Sequence, residues 1–310
     1  MGNRRGFLKM SASLAAAPLI PESSAVSNEL DIPVSNKRPH ELARDEAHWR
    51  AVGRLYSIQE EIINLEHGYW GQMSIPVEQA LARHTHRVNR ELSWYARREY
   101  DRDFLKARAA VADALGVSVE ELMLTRNATE SFVNLITQYD ELSSGNAILW
   151  ADADYPEFKR MMSWLAESRQ VRGTMLSLPA AGTDEDYIRI YREAFDALPD
   201  LKLMLLTHVS NQHGLVLPVR EIAAIAKCRG IHVICDCAQS WGLLDFTLDD
   251  LNVDWAVFNL HKWIGSPVGV GALYMRHGTL VPVRPFPGED SSDTDVALSL
   301  IHISERAGKA

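Results

Sequence analysis

Six residues, Leu201-Lys202-Leu203-Met204-Leu205-Leu206, restrict the architecture of this chain more than any other stretch. An apolar run broken by one lysine and too short for a buried helix reads as a strand covered on both faces, and such strands belong to parallel sheets. The runs Ala147-Ile148-Leu149-Trp150, Ile231-His232-Val233-Ile234-Cys235-Asp236 and Asp254-Trp255-Ala256-Val257-Phe258 read the same way. Between them lie helical patterns at Tyr155 to Glu167, Asp184 to Leu198 and Val219 to Cys228, with an extended stretch from Val171 to Leu178. This alternation predicts an α/β fold in three layers, α/β/α, around a mostly parallel sheet.

Upstream, His40 to about Gln59 reads as a polar helix with Trp49, Val52 and Leu55 on one side, and Val77 to Arg98 as a long helix opened by Pro76. Phe104 to Leu115 makes another, closed by Gly116, and Ser118 and Glu121 have capping-box spacing. Glu121 to Thr125 is then a short strand, and Arg126-Asn127-Ala128-Thr129-Glu130-Ser131 turns it into a helix from Phe132 to Tyr139. Such a turn aims free N–H groups and the positive end of a helix dipole at one spot, which suits an anion; a simple N-cap at Thr129 explains it equally well.

At 310 residues, with 46% hydrophobic and 24% charged residues, the chain has the composition of an ordinary globular protein with a large core. A net charge of −9 argues against a nucleic-acid partner. Cys228, Cys235 and Cys237 are too few and too clustered for a disulfide framework, and the latter two read as small core residues rather than metal ligands. His84 and His86 have no partner at a ligand spacing, so no metal site is expected.

The first residues differ in kind. Asn3-Arg4-Arg5-Gly6-Phe7-Leu8-Lys9 and the small apolar run Met10 to Ile20 resemble a twin-arginine export signal, implying a periplasmic location. An amphipathic or disordered basic N-terminus of a cytoplasmic protein is the alternative. The apolar run is too short to span a membrane.

Two residues at the strand ends carry chemistry. Lys262, within Phe258-Asn259-Leu260-His261-Lys262-Trp263-Ile264-Gly265, precedes the turn-prone run Gly265 to Gly271, which leads into a strand ending Ala272-Leu273-Tyr274. A lysine at the mouth of a buried strand loses part of its water, and desolvation favours the neutral amine that forms a Schiff base. An ordinary solvated surface lysine is the alternative. Asp236 closes its own strand, where acids of open α/β sheets point into the ligand crevice. Together they read as a pyridoxal phosphate site, Lys262 for the aldehyde and Asp236 for the pyridinium nitrogen.

The motifs Asp236-x-x-Gln239, His261-Lys262-Trp263 and Pro267-x-Gly269-x-Gly271-x-Leu273-Tyr274 resemble, in this order, the class V aminotransferase family, and within it the isopenicillin N epimerase-like branch, over residues 62–283. The resemblance implies the type I fold of pyridoxal-phosphate-dependent transferases, pyridoxal 5'-phosphate as cofactor, and a homodimer with the site at its interface. It implies an amino-acid substrate altered at Cα by epimerisation or transamination. The alternatives are a cysteine desulfurase or lyase, or a non-catalytic protein that keeps the fold. A desulfurase cysteine would lie beyond Lys262, and no cysteine follows Cys237, which disfavours that reading.

For single residues the resemblance implies that Lys262 and Asp236 are catalytic and that Ala128 and Thr129 hold the cofactor phosphate. Tyr155 would stack on the ring, and Asn211 would lie near it; without the resemblance, Tyr155 is equally plain packing. Gln239 would donate to the ring's phenolate oxygen, Asn259 would stand at the phosphate where many relatives have serine, and His261 would touch phosphate or fill space. The loop His67-Gly68-Tyr69-Trp70-Gly71 matches a family segment lying over the site, with side chains larger than the pattern.

The chain thus divides into a signal over 1–25, a linker over 26–39, an N-terminal segment over 40–75, a cofactor-binding large domain over 76–283 and a tail over 284–310 that is truncated or irregular. Relatives continue into a C-terminal small domain, expected to be largely missing here; a divergent natural terminus is the alternative.

Overall fold

The apolar runs at 147–150, 201–206, 231–236 and 254–258 become strands buried almost throughout. A computed structural model describes residues 33–59, 61–279 and 282–283; most of the expected signal and linker, and the whole tail, lie outside the described residues. The chain forms two compact units, one ending at Leu55 and one beginning at Tyr56.

In the first unit the single helix expected over 40–59 is two short ones, α1 (Pro39–Leu42) and α2 (Glu46–Gly53). The break falls where the Asp45 carboxylate accepts the Ala47 and His48 N–H groups, so this acid starts a new helix instead of continuing the old one.

The second unit runs through α3 (Ile75–Arg98), α4 (Tyr100–Leu115), a 3₁₀ turn at Val119–Glu121, β1 (Leu122–Thr125) and α5 (Ala128–Gln138). There follow β2 (Ala147–Ala151), α6 (Pro156–Arg169), β3 (Arg172–Leu176), α7 (Asp184–Ala197), β4 (Leu201–Thr207) and α8 (Val219–Cys228). The last elements are β5 (His232–Asp236), α9 (Leu248–Leu251), β6 (Trp255–Asn259) and β7 (Gly271–Met275). The seven strands make one sheet in the order β1-β7-β6-β5-β4-β2-β3, parallel except for β7.

Two apolar cores flank the sheet. Phe132, Leu135 and Ile136 of α5 and Phe158, Met162 and Leu165 of α6 cover one face. Tyr187, Tyr191 and Phe195 of α7, Ile222 and Ala226 of α8, and Leu115 of α4 cover the other. The expected α/β/α layering is therefore present. Fully burying one such aliphatic or aromatic side chain is worth roughly 1.5–3 kcal/mol, so the sheet is the rigid base on which the strand-end loops are fixed. By contrast α3, kinked at Leu92 (φ 48°), buries no residue.

Candidate active site

The loops that follow β5 and β6 meet the start of α5 at the carboxyl end of the sheet. Asp236 ends β5 and is only 6% exposed. Its Oδ1 accepts the Ala238 N–H at 2.9 Å. Burial lifts its pKa to about 6, while that N–H and the positive charge of Lys262 pull it down. Lys262 has its pKa lowered, chiefly by burial and against the opposing pull of Asp236 and Glu66. The two groups therefore sense each other in a partly dehydrated space, where an amine is closer to its neutral form than in water.

The α5 helix begins earlier than its sequence pattern suggests, and its N-cap is Asn127, not Thr129. Asn127 Oδ1 accepts the Glu130 N–H at 2.7 Å. The Ala128 N–H donates to Asn259 Oδ1 at 2.9 Å, so the strand bearing the Lys262 loop also satisfies the helix. The Ala128 N–H is thereby engaged, while the N–H at the second helical position, on Thr129, has no intrahelical acceptor. Asn259 keeps only its amide nitrogen for a ligand. Gly271 makes the junction possible, since a Cβ there would fall 2.5 Å from Asn127 Cα.

A second chain segment crosses over Lys262. The Gly71 N–H donates to His261 O at 2.7 Å, and a Cβ on Gly71 would lie 1.7 Å from Lys262 O, so only glycine allows this approach. Gln239 ties the same segment down: its Nε2 donates to Gly68 O at 2.9 Å and its Oε1 accepts from Trp263 Nε1 at 2.9 Å. An indole N–H can only donate, which fixes the amide orientation and leaves Gln239 one further N–H. His261 is buried, and its Nδ1 lies 3.1 Å from Val270 O, which requires a proton on that nitrogen. Tyr155 meets Phe158 edge to face at 5.4 Å, and burial lifts its hydroxyl to about 12.

A cavity of about 400 Å³ opens among these groups. Ala128, Thr129, Tyr155, Asn211, Asp236, Gln239, Asn259, His261 and Lys262 all line it, so the fold gathers every residue that the sequence singled out. Sequence reading missed Arg126, whose guanidinium is held by Glu130 at 2.6 and 2.9 Å on the cavity rim. Tyr69, Trp70 and Val268 also line the cavity, and no cysteine does among the described residues.

A lysine and an aspartate lining one cavity, with a helix N-terminus beside them and a largely parallel sheet beneath, match the cofactor site of the type I pyridoxal-phosphate fold. The model of the family Aminotransferase class-V matches residues 77–305, and the chain belongs to the class V aminotransferase family, with pyridoxal 5'-phosphate as its cofactor. It is 26% identical over 240 residues to the isopenicillin N epimerase of Streptomyces clavuligerus, covering 77% of this chain and 60% of the epimerase. It is 33% identical over 178 residues to a cysteine desulfurase of Anaeromyxobacter dehalogenans, covering 55% of this chain and 41% of that enzyme. The chain therefore spans less than two thirds of the length of these relatives. A solved structure of a cystine C-S lyase variant with glycine covalently linked to its pyridoxal phosphate superposes with a TM-score of 0.64 at 20% identity, covering 79% of this chain and 69% of that one.

Proposed function

We propose that this protein acts on an amino acid at Cα, as an epimerase or aminotransferase, with Lys262 as the covalent anchor of the cofactor. The observation that carries the reading is the convergence of Lys262 and Asp236 on one cavity of about 400 Å³. When bound, pyridoxal phosphate supplies an electron sink for the bonds at Cα of an attached amino acid.

The chain's own residues do the rest. Lys262 Nζ, held toward its neutral form by burial, would anchor the cofactor through its aldehyde, with loss of water, and, once displaced by the substrate's amine, would serve as the base at Cα. The Asp236 carboxylate would hold the ring nitrogen protonated through a charge-assisted hydrogen bond. The Thr129 N–H and the α5 dipole would hold the phosphate, helped by Asn259 and His261. Tyr155 would cover the ring face, Asn211 would lie at its side, and the remaining Gln239 N–H would serve its oxygen. Tyr69 and Trp70 bound the space left for the substrate.

The desulfurase relatives support a second reading, C–S bond cleavage; transfer of the sulfur to a cysteine of the protein is disfavoured, since among the described residues no cysteine lines the cavity. The exposed apolar residues Ile62, Ile63, Leu65, Tyr69, Trp70 and Val268 support a homodimer that covers this side of the molecule. Arg4 and Arg5 with the apolar run behind them support twin-arginine export.

Borohydride reduction after addition of pyridoxal phosphate, followed by peptide mapping, tests the anchor. Label on Lys262 is expected, and label confined to other lysines overturns the reading. Loss of the α-proton of amino acids in D₂O, set against keto-acid or sulfide release, then sorts the reaction types.

A further inference from the structure

Behind Asp236 lies a second carboxylate that the site does not use directly. Asp154 follows β2 and is completely buried (0% exposed), yet it does not line the cavity. Its Oδ2 accepts the Ala151 N–H at 2.7 Å, while its Oδ1 has no hydrogen-bond partner. Thr207, at the end of β4, stands in register with Asp236 on the neighbouring strand, so both side chains leave the same face of the sheet. The Thr207 hydroxyl is also buried without a partner of ordinary geometry, although it lies against the Asp154 carboxyl.

A fully buried carboxylate with no cation beside it is costly as the anion, and protonating Asp154 removes that cost, since the Thr207 hydroxyl against it can accept as readily as donate. A second acid nearby adds to the cost. Asp154 and Asp236 repel each other when both are ionised, and two carboxylates sharing a dry region cannot both carry charge cheaply. Both carboxylates accept a backbone N–H, from Ala151 and Ala238, but only Asp236 also faces a cation, Lys262. From the other elements packed around it, Asp154 meets Tyr191 of α7 and Cys235 of β5, both raised by burial and neither cationic. No positive partner for it is found among the described residues.

We propose that Asp154 and Asp236 form one coupled acidic unit beneath the pocket, in which Asp154 carries the proton, donating it toward Thr207, while Asp236 carries the charge that faces the pocket. Asp154 is then a positioning residue: it sets how much negative charge lies under the cofactor ring without touching it. Burial pushes Asp154 to about 7 and Asp236 to about 6, the order that this division requires. The consequence for the cofactor rests on Asp236 being the ring-nitrogen partner, but the coupling itself does not.

The test uses the full-length, cofactor-free protein labelled with ¹³C at aspartate carboxyls, the resonances being assigned by substitution. Asp154→Asn keeps an oxygen for the Ala151 N–H and removes the second acid. Asp236 is then expected to titrate lower, by on the order of one pH unit, and in a single step where the wild type shows two. Where Asp154→Asn fails to fold, Asp236→Asn serves, because linkage is reciprocal and Asp154 must fall by the same amount. An unmoved titration of the surviving carboxyl in either variant overturns the proposal, since a merely structural Asp154 would leave it in place. The absorbance of added pyridoxal phosphate against pH gives a second readout, expected to lose a transition near neutrality in Asp154→Asn. Failure of borohydride labelling at Lys262 would sink the cofactor reading and leave the carboxyl coupling standing, so the two outcomes are separable.

Discussion

Asn259 at the end of β6 accepts the N–H of Ala128 at the start of α5, at 2.9 Å, joining segments 131 residues apart. The strand that presents Lys262 and the helix whose first residues line the cavity are therefore one rigid corner. Truncation by Asn259→Ala leaves a part-buried N–H without its acceptor, at a cost of about 1–3 kcal/mol. A lower urea midpoint together with weaker binding of pyridoxal phosphate is expected. Asn259→Asp keeps the acceptor but adds a negative charge beside the phosphate, so binding should weaken with the midpoint nearly unchanged. Denaturation curves and cofactor titration by absorbance check both.

Gly71 is a steric requirement. A methyl group there would lie 1.7 Å from the Lys262 carbonyl oxygen, a backbone atom that cannot swing aside. Gly71→Ala is expected to lift the 68–72 segment off Lys262 and to cost about 1–3 kcal/mol, as overpacking does. Gly53→Ala, where nothing lies within 4 Å, is the control and should be neutral or slightly stabilising. Thermal melts of the two variants, with limited proteolysis around residue 71, show the difference.

These contacts mark the limit of what the residues alone disclose. The strands were legible because burial on both faces demands continuous apolar runs, and β2, β4, β5 and β6 fall where those runs lie. The helix α8 matches its expected ends at both residues, Val219 and Cys228, set off by Pro218 before it and Gly230 beyond. The Asn127 cap was not legible, since Asn127 and Thr129 are both good caps and Gly271 of β7 gives Asn127 its place. Nor could Asp152 and Asp154 be told apart: the first accepts from Ser177 and Leu178, while the second is buried behind Asp236. The one-turn helix α9 is too short to leave a period.

Stability should depend on pH through the two buried acids. In the folded chain Asp236 titrates near 6 and Asp154 near 7, whereas unfolded carboxyls titrate near about 4. Below about pH 4 both are protonated in either state and neither opposes folding. As pH rises, the unfolded chain releases these protons first, so stability falls from about pH 4 to about pH 7 and levels off above, by on the order of a few kcal/mol in total. Urea midpoints of the cofactor-free protein should decline across that window, and Asp154→Asn should flatten the upper part. A midpoint that rises over the same range contradicts the raised values.

Gln239 holds the covering loop through two bonds at once, to Gly68 O and from Trp263 Nε1, each 2.9 Å. Leucine at this position has nearly the same shape and neither polar function, so Gln239→Leu leaves an indole N–H and a carbonyl unpaired in a part-buried site. The cost is expected at the lower end of about 1–3 kcal/mol for each group, because both retain some access to water. Gln239→Glu separates the two bonds: it still accepts from Trp263, loses the donor to Gly68, and brings a negative charge near Lys262, which should favour the ammonium and slow capture of the aldehyde. In Gln239→Leu the tryptophan emission should shift as the Trp263 N–H bond is lost, with little change in Gln239→Glu. Stopped-flow absorbance on adding pyridoxal phosphate should show slower capture in Gln239→Glu. Equal rates in wild type and Gln239→Glu would show that the charge at this position does not reach the amine.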